Sequence, residues 1–346
     1  MKELQKLVRP NVWNLKPYSS ARSEFQGEAS VLIDANENPW NAPYNRYPDP
    51  LQRLLKERIA QLKGVKPASV FVGNGSDEAI DLIIRIFCEP GRDRIVAIEP
   101  SYGMYQVAAD VNGVACSKVL LGAGYALEVE ALFQAVDDAT KAIFLCSPNN
   151  PTGNLLERDR LRQVLDRFEG IVVIDEAYID FADEPSFLGE LASYPNLIVL
   201  QTLSKAWGGA GLRLGMAFAS ASIIELMGKV KYPYNVSAPV QEMALALLAD
   251  PSRMEQQRRL ILSERTRLEC SLQADPFRYK VYPSEANFLL VDVGDADRIY
   301  QGLTERGVIV RNRNSVALCQ GCLRITVGTP DENTQLLDSL KQMLHV

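Results

Sequence analysis

Histidine is almost absent from this chain of 346 residues, because the single histidine, His345, stands next to the C-terminal residue. A Ser-His-Asp or Cys-His hydrolase needs a histidine that is fixed inside the fold, so both classes are excluded. Any proton transfer must therefore use a lysine, a carboxylate, a tyrosine or a bound cofactor.

Cysteine is sparse and shows no disulfide framework, since the six cysteines are scattered at positions 88, 116, 146, 270, 319 and 322. Such usage indicates reduced thiols and a cytoplasmic protein. Cys319 and Cys322 form a lone CxxC motif. Without a second pair or an internal histidine, we expect no metal site, and redox or metal use of this pair is the alternative.

An excess of positive charge and long apolar runs are also missing. The 37 Lys and Arg residues face 43 Asp and Glu residues, which gives a net charge of −6 and argues against nucleic acid as the main partner. No apolar run reaches the length of a membrane span, and the N-terminal residues are not followed by a secretory apolar core. We therefore expect no membrane partner and a location in the cytoplasm.

Short apolar runs do recur, and segments with helical spacing separate them. The runs predict strands near residues 70–72, 94–98, 142–146, 171–174 and 197–200. The helical spacing covers residues 51–62, 76–87, 102–109 and 157–168. This alternation predicts an α/β fold with a mostly parallel sheet that is covered by helices on both faces. Ligands of such sheets bind outside the carboxyl ends of the strands.

The pattern changes near residues 233–239, where a long helical stretch opens at Val240 and runs past Pro251 to Leu272. Short strands and helices follow, which is typical of a small α+β domain. Residues 29–34 are the first candidate core element, and a loop rich in turn residues comes after them. We predict an arm with the start of the small domain at 1–39, a large domain at 40–239 and a small domain at 240–346.

The most informative stretch is the apolar run of residues 197–200, which leads to Ser204 and Lys205 and then to Arg213 among glycines. A lysine at the mouth of a dry core has a lowered pKa and becomes a nucleophile that suits a Schiff base to an aldehyde cofactor. A solvated surface lysine is the alternative. The glycines do not have the spacing of a dinucleotide-binding loop, so that interpretation is rejected.

Polar residues also follow two other predicted strands, those near residues 70–72 and 171–174. Ser76 is expected to cap a helix whose free N–H groups form an anion site, and a phosphate there requires the carboxylates of Asp77 and Glu78 to point away. Asp175 ends an aliphatic strand and could keep a pyridine nitrogen protonated, although helix capping and metal binding are alternatives. Tyr178 is three residues further on and could hold a ring hydroxyl, or simply be a half-buried tyrosine.

These residues resemble a known framework. Asn150-Pro-Thr-Gly153, Asp175-x-x-Tyr178 and Ser204-Lys205 followed by Arg213 are similar to the pyridoxal-phosphate site of fold-type I aminotransferases, in the same order along nearly the whole chain. More narrowly, five motifs resemble those of the histidinol-phosphate aminotransferase family: Asn36-Glu-Asn-Pro, Arg46-Tyr-Pro, Gly73-Asn-Gly-Ser-Asp-Glu, Cys146-Ser-Pro-Asn-Asn-Pro-Thr-Gly and Leu323-Arg-Ile-Thr-Val-Gly-Thr.

The resemblance implies pyridoxal 5′-phosphate as the cofactor and a role for each matching residue. Lys205 carries the Schiff base and shuttles the proton, Asp175 pairs with the pyridine nitrogen, and Tyr178 with Asn150 holds the ring hydroxyl. Tyr102 stacks on the ring. The remaining contacts are to the cofactor phosphate and come from Ser76, the Asp77 backbone, Ser204, Arg213 and, from a neighbouring subunit, Tyr47. That last contact implies a homodimer with shared sites.

The resemblance also implies the substrates. Arg324 binds the carboxylate of 2-oxoglutarate or glutamate, Arg311 helps to hold the phosphate of L-histidinol phosphate, and Tyr18 and Asn36 complete the substrate set. Because Arg324 interrupts an apolar strand, an anionic partner is expected for it. The implied activity is amino-group exchange between these small molecules in histidine biosynthesis. An aromatic amino-acid aminotransferase, an amino-acid phosphate decarboxylase and a non-catalytic sensor domain are the alternatives.

Overall fold

A computed structural model describes residues 3–19, 21 and 30–344, and its largest element is a seven-stranded sheet. The strands are β1 Val70–Asn74, β2 Arg94–Glu99, β3 Ala115–Leu120, β4 Thr140–Cys146, β5 Ile171–Asp175, β6 Leu197–Thr202 and β7 Leu214–Phe218. Their order across the sheet is β1-β7-β6-β5-β4-β2-β3. All of them are parallel to one another except β7, which is antiparallel to both of its neighbours. The predicted, mostly parallel sheet is confirmed.

The sequence pattern of each strand follows from its place in the sheet. The central strands β5 and β6 are buried along their whole length, so they consist mainly of branched apolar residues and were predicted. The edge strand β3 is largely exposed and contains Ser117 and Lys118. It therefore lacks the continuous apolar run from which strands were predicted. β7 was not predicted because Gly215 belongs to a glycine-rich segment. Glycine weakens a strand signal, although here it permits close backbone packing.

Helices cover both faces of this sheet. They are α1 Leu4–Leu7, α2 Pro10–Trp13, α3 Arg53–Lys63, α4 Gly75–Phe87, α5 Met104–Val111, α6 Val129–Gln134, α7 Arg158–Arg167 and α8 Ala221–Val230. One apolar core holds Leu55 of α3 and Leu161 of α7, and a second core on the opposite face holds Ile80 of α4 and Ile223 of α8. This two-sided cover is the layered arrangement that the alternating pattern predicts.

A second, four-stranded sheet follows two further helices, α9 Ala238–Leu248 and α10 Pro251–Gln273. Its strands, in the antiparallel order β10-β11-β9-β8, are β8 Lys280–Val281, β9 Phe288–Asp292, β10 Arg311–Asn312 and β11 Cys322–Thr326. The helices α11 Ala296–Glu305 and α12 Pro330–Leu344 pack on this sheet over a third apolar core. The domain boundaries at 39/40 and 239/240 stay predictions.

The continuous helical stretch that was expected from Val240 to Leu272 is wrong in one respect, because it is two helices. Asp250 separates them, and its Oδ1 accepts a hydrogen bond from the Arg253 backbone N–H at 3.0 Å. Pro251 occupies the first position of α10, where its missing N–H costs no hydrogen bond. An N-cap followed by proline therefore restarts the helix.

The expected core element at 29–34 is also wrong for the part of it that the structure describes. Val31 is 69% exposed and Ile33 is 90% exposed, and residues 30–34 form no strand or helix. Their apolar character is therefore not used for packing within this chain. Among the described helices, none is both long and apolar enough to cross a membrane.

Candidate active site

A cavity of about 780 Å³ opens at the carboxyl ends of β4, β5 and β6, next to the start of α4. Eleven of the residues that the sequence singled out line it: Ser76, Asp77, Tyr102, Asn150, Asp175, Tyr178, Ser204, Lys205, Arg213, Arg311 and Arg324. The cavity lies where ligands bind in open parallel sheets. The structure thus brings together side chains that are spread over most of the sequence.

Lys205 enters this cavity from the turn after β6. The turn is fixed because Thr202 Oγ1 accepts the Ser204 backbone N–H at 3.1 Å. Lys205 Nζ lies 5.4 Å from the ring centroid of Tyr178, and no carboxylate of the described residues forms a salt bridge with it. Burial, and next the charge of Arg324, lowers the pKa of the Lys205 amine. A desolvated lysine of this kind can act as a nucleophile or a base.

Asp175 ends β5 at the bottom of the cavity and is only 2% exposed. Its Oδ2 accepts a hydrogen bond from the Tyr105 hydroxyl at 2.8 Å, and its Oδ1 accepts the Ala177 backbone N–H at 3.1 Å. Burial is the largest effect and raises the pKa of the Asp175 carboxyl to about 6. The sequence missed Tyr105, because nothing in its pattern separates it from an ordinary core aromatic residue.

Asn150 and Arg324 connect the large sheet to the small one. Arg324 of β11 donates from Nη1 to Asn150 Oδ1 at 2.5 Å, and its guanidinium also lies 5.3 Å from the ring centroid of Phe288. Because the amide oxygen is engaged, the amide N–H₂ of Asn150 is the group that remains to donate into the cavity. Tyr178 also packs edge-on against Phe288, with ring centroids 5.1 Å apart.

The start of α4 and the turn before β7 form a cup, defined here as residues 75–77 together with Ser204 and Arg213. Gly75 has φ +73, and a Cβ there would meet Arg213 Nη2 at 2.9 Å. Gly215 packs so closely that a Cβ would meet the Ser76 backbone nitrogen at 2.1 Å. Ser204 Oγ is buried and has no hydrogen-bond partner among the described residues. The free N–H groups of α4, an arginine and an unpaired hydroxyl are features of an anion site.

Two expectations about this cup need correction. Ser76 is not the helix cap, because α4 begins at Gly75 and Asn74 is the N-cap residue. The Asp77 carboxylate does not point away, since it accepts the Tyr102 hydroxyl at 2.9 Å and lies 3.4 Å from Arg213 Nη2. An anion in the cup must therefore share Arg213 with Asp77.

Glu78, in contrast, does point away from the cup. One of its carboxylate oxygens accepts the Asn74 backbone N–H at 2.5 Å, and both oxygens lie within 3.2 Å of Asn235 Nδ2. These bonds hold the end of β1 and the start of α4 against the segment that follows α8. Glu78 therefore stabilises the shape of the cup and does not contact its interior.

Three arginines of the small sheet line the other side of the cavity. Arg311 and Arg324 were predicted, and Arg313 was missed. The residue order Arg311-Asn-Arg313 was the available signal, because alternate residues of a strand share a face. This side of the cavity is therefore strongly positive and suits an anionic substrate.

Three predicted residues do not line this cavity. Asn36 and Tyr47 lie together in a separate groove of about 410 Å³, where the Tyr47 ring stacks on Tyr234 with centroids 4.4 Å apart. The Tyr47 backbone N–H is held by Glu37 Oε1 at 2.6 Å. Tyr18 is 71% exposed and lines neither space. Their roles in substrate or cofactor binding stay predictions.

The cysteine pair lies beside the cavity and does not enter it. Cys319 and Cys322 are both buried, and burial raises the pKa of both thiols. Within the described ranges, no group of three or more His, Cys, Asp or Glu residues is arranged to hold a metal ion. The residues around the cavity thus offer amine, carboxylate, hydroxyl and guanidinium groups.

Comparison with known proteins gives one family and close relatives. A family model described as aminotransferase class I and II matches residues 28–340. The histidinol-phosphate aminotransferase of Parabacteroides distasonis is 64% identical over 343 residues, which are 99% of each chain. The solved histidinol-phosphate aminotransferase of Clostridium acetobutylicum is 26% identical, with a TM-score of 0.80 over 87% of this chain and 91% of that chain.

A further solved structure has a bound cofactor. The histidinol-phosphate aminotransferase of Sinorhizobium meliloti in complex with pyridoxal-5′-phosphate is 24% identical. Its TM-score is 0.79 over 87% of this chain and 83% of that chain. These likenesses confirm the predicted fold-type I architecture, with its large parallel-sheet domain and small antiparallel one.

Proposed function

The chain belongs to the aminotransferase class I and II family, and we propose that it exchanges an amino group between L-histidinol phosphate and 2-oxoglutarate, with pyridoxal 5′-phosphate as cofactor. The main support is one cavity in which Lys205, without a salt bridge to any described carboxylate, lies between an anion cup and a cluster of arginines. The full-length relative at 64% identity carries the matching name.

The described residues fit this cofactor. The unpaired, buried Ser204 Oγ, Arg213 and the first N–H groups of α4 suit its phosphate. The buried Asp175 suits the pyridine nitrogen, while Tyr178 and the free amide N–H₂ of Asn150 suit the ring oxygen. When bound, the cofactor supplies an aldehyde carbon for the amino group and a ring that accepts electrons. Tyr102 is proposed to lie on the ring face.

The chain's own residues then have defined tasks. Lys205 Nζ would move a proton between the amine-bearing carbon of the substrate and the carbon that the cofactor supplies on the other side of the amino nitrogen. Its lowered pKa supports this task, because an amine must be neutral to accept a proton. Asp175 would place its negative charge next to the protonated pyridine nitrogen, and the hydrogen bond from Tyr105 keeps that carboxylate oriented. Tyr178 lines the cavity and is held in place by its edge-on packing against the buried Phe288 ring.

Arg324 and Arg311 are proposed to bind the anionic groups of the two substrates. L-histidinol phosphate carries a phosphate, and glutamate carries carboxylates, so one positive wall can serve both halves of the reaction. Tyr18 and Asn36 are proposed to complete this substrate set from the N-terminal region. Both lie outside the cavity of their own chain in the described structure, so a contribution across a subunit boundary is the simplest arrangement.

We further propose a homodimer that works in the cytoplasm. Large apolar side chains are unusually exposed in one N-terminal region, namely at Val31, Ile33, Trp40, Tyr44, Tyr47, Leu51 and Leu54. Such a concentration is typical of an interface, and it contains Tyr47, the proposed phosphate ligand of the second subunit. The six cysteines are all unpaired, which suits a reducing compartment.

The test is the cofactor absorbance of the holoenzyme mixed with L-histidinol phosphate in the absence of any oxo acid. Parallel samples contain L-phenylalanine and L-threonine phosphate. Loss of the lysine-bound absorbance, fastest with L-histidinol phosphate, is expected. Faster loss with phenylalanine would assign an aromatic aminotransferase instead. Release of carbon dioxide with recovery of the original spectrum would assign a decarboxylase, and no response to any amine would favour a sensor.

A further inference from the structure

The two strands that carry the arginines place three guanidinium groups on one face. β10 and β11 are antiparallel, and Arg311 stands directly opposite Arg324. Arg313 lies two residues beyond Arg311, and its backbone N–H continues the ladder by donating to the Cys322 carbonyl at 2.9 Å. Because side chains alternate along a strand, Arg311 and Arg313 share the face that Arg324 occupies on the partner strand. All three line the cavity.

The positive charges of these three arginines are not neutralised by carboxylates of the described residues. Within the described part of the chain, none of the three guanidiniums forms a salt bridge with a carboxylate. Arg313 Nε and Arg324 Nε are also buried without a hydrogen-bond partner there. Like charges directly across two strands destabilise a sheet, and buried donors without partners cost further free energy. Burial and the charges of Arg324 and Arg311 lower the pKa of Arg313 to about 10.

The three side chains differ in depth, which separates their tasks. Arg324 already donates to Asn150 near the reacting end, and Arg311 is exposed at the opening. Arg313 is partly buried and has no side-chain hydrogen bond within the described residues. A phosphate monoester carries nearly two negative charges at neutral pH, one more than a carboxylate. The uncommitted guanidinium supplies the additional positive charge that such a dianion requires.

We propose that Arg313 is a specificity-determining residue that completes a three-arginine subsite for the phosphate of a phosphorylated amine substrate. This inference deepens the proposed function and rests on it. Arg313 does not act on the reacting carbon. It discriminates between substrates that have the phosphate and substrates that lack it.

The experiment combines a substitution of Arg313 with removal of the phosphate from the substrate. Wild-type and Arg313→Gln holoenzymes are reacted with L-histidinol phosphate and with L-histidinol, and kcat/KM of the amine half-reaction is measured. We expect Arg313→Gln to lower kcat/KM for L-histidinol phosphate by about 10- to 100-fold, as for loss of a charge-assisted hydrogen bond. The value for L-histidinol is expected to change by less than about threefold, which isolates the coupling to the phosphate. Arg313→Lys keeps the positive charge but lacks the paired N–H donors of a guanidinium. Its kcat/KM for L-histidinol phosphate is expected to lie between the values for the wild type and Arg313→Gln.

Controls separate the possible failures. Arg306→Gln changes an exposed arginine that bonds only to the Gly302 carbonyl among the described residues, and it is expected to leave both substrates unaffected. Unchanged circular dichroism and cofactor absorbance of Arg313→Gln and Arg313→Lys report an intact fold. Equal losses with both substrates, or no loss with either, would overturn the inference alone. A wild-type enzyme that does not react with L-histidinol phosphate would overturn the proposed function as well.

Discussion

Asp175 lowers the stability of the folded protein because the candidate site requires a buried carboxylate. A carboxylate at the end of a buried strand is desolvated, and its two hydrogen bonds from Tyr105 and Ala177 offset only part of that cost. Its pKa therefore rises from the ordinary value of 3.8 to about 6. Between these values the folded state binds more protons than the unfolded state, so stability is lost as the pH rises through this range.

Asp175→Asn is expected to stabilise the cofactor-free protein at pH 7 while lowering turnover by orders of magnitude. The amide removes a buried charge, but it cannot hold a proton on the pyridine ring. The difference in pKa sets the gain in unfolding free energy at no more than about 3 kcal/mol. Thermal unfolding of both proteins between pH 4 and pH 8 checks this. The gain should vanish near pH 4, and a gain independent of pH would contradict the explanation.

Lys205→Ala is expected to abolish transamination and the lysine-bound cofactor absorbance, and to leave the fold intact. Lys205 donates no side-chain hydrogen bond to the described residues and forms no salt bridge with them. Its replacement is therefore expected to remove the reactive amine with little effect on the fold. Absorbance spectra, circular dichroism and a coupled assay for glutamate formation measure the three effects. Appreciable remaining turnover would exclude Lys205 as the proton carrier.

At this scale the sequence predicted most of the candidate site. Asp175 ends an apolar strand, and Ser204 and Lys205 closely follow another. Because strand ends converge in a parallel sheet, the convergence of these residues could be foreseen. Tyr105 and Arg313 could not be foreseen as readily. Their importance depends on a hydrogen bond to a buried carboxylate and on the register of two short strands, and neither is visible in residue type.

At the scale of elements, the contact between β7 and the start of α4 decides whether the cup exists. Gly215 of β7 lies against the backbone of Gly75 and Ser76, and no side chain fits between them. β7 itself was not predicted, and neither was the break between α9 and α10. Both depend on backbone geometry that one glycine or one capping aspartate provides, and such geometry leaves little trace in hydrophobic periodicity.

Gly215→Ala is expected to separate β7 from α4 and to weaken cofactor binding at least tenfold, with a clear loss of thermal stability. The added Cβ would lie 2.1 Å from the Ser76 nitrogen, so backbone must move. Cofactor titration and thermal unfolding measure both effects. Gly228→Ala is the matched control, since this exposed helical glycine has no atom within 4 Å of an added Cβ. It is expected to be neutral or stabilising by up to about 1 kcal/mol. An unaltered cofactor affinity in Gly215→Ala would contradict the importance of this contact.

At the scale of the whole molecule, the predicted layers were confirmed because strand and helix periodicities are strong signals in a chain with large cores. The N-terminal region was harder to interpret. The apolar character of Val31 and Ile33 suggested a core element, but both are exposed in the single chain. Periodicity reports that a residue will be buried, and it does not report whether the same chain or a second one will cover it.

The proposed shared site predicts complementation between two inactive proteins. In a mixed dimer of Lys205→Ala and Tyr47→Ala, both changes fall in one site, and the other site has wild-type residues. After random exchange of equal amounts of subunits, about a quarter of wild-type activity is expected. Activity before and after exchange measures it, and sedimentation confirms the dimer. If Tyr47 served the site of its own chain, the mixture would regain nothing.

The place of β1 in the sheet has a consequence for how the protein is made. Within the described part of the chain, β1 is an edge strand that pairs with β7, and the five other strands of the sheet lie between these two in the sequence. During synthesis β1 therefore stays unpaired until β7 has left the ribosome. Pairing between strands that are so far apart in the sequence is also slow. Hydrogen exchange during refolding should show residues 70–74 gaining protection late. The cup forms between the same two parts of the chain, so a growing polypeptide can capture its cofactor only after the whole sheet has been synthesised.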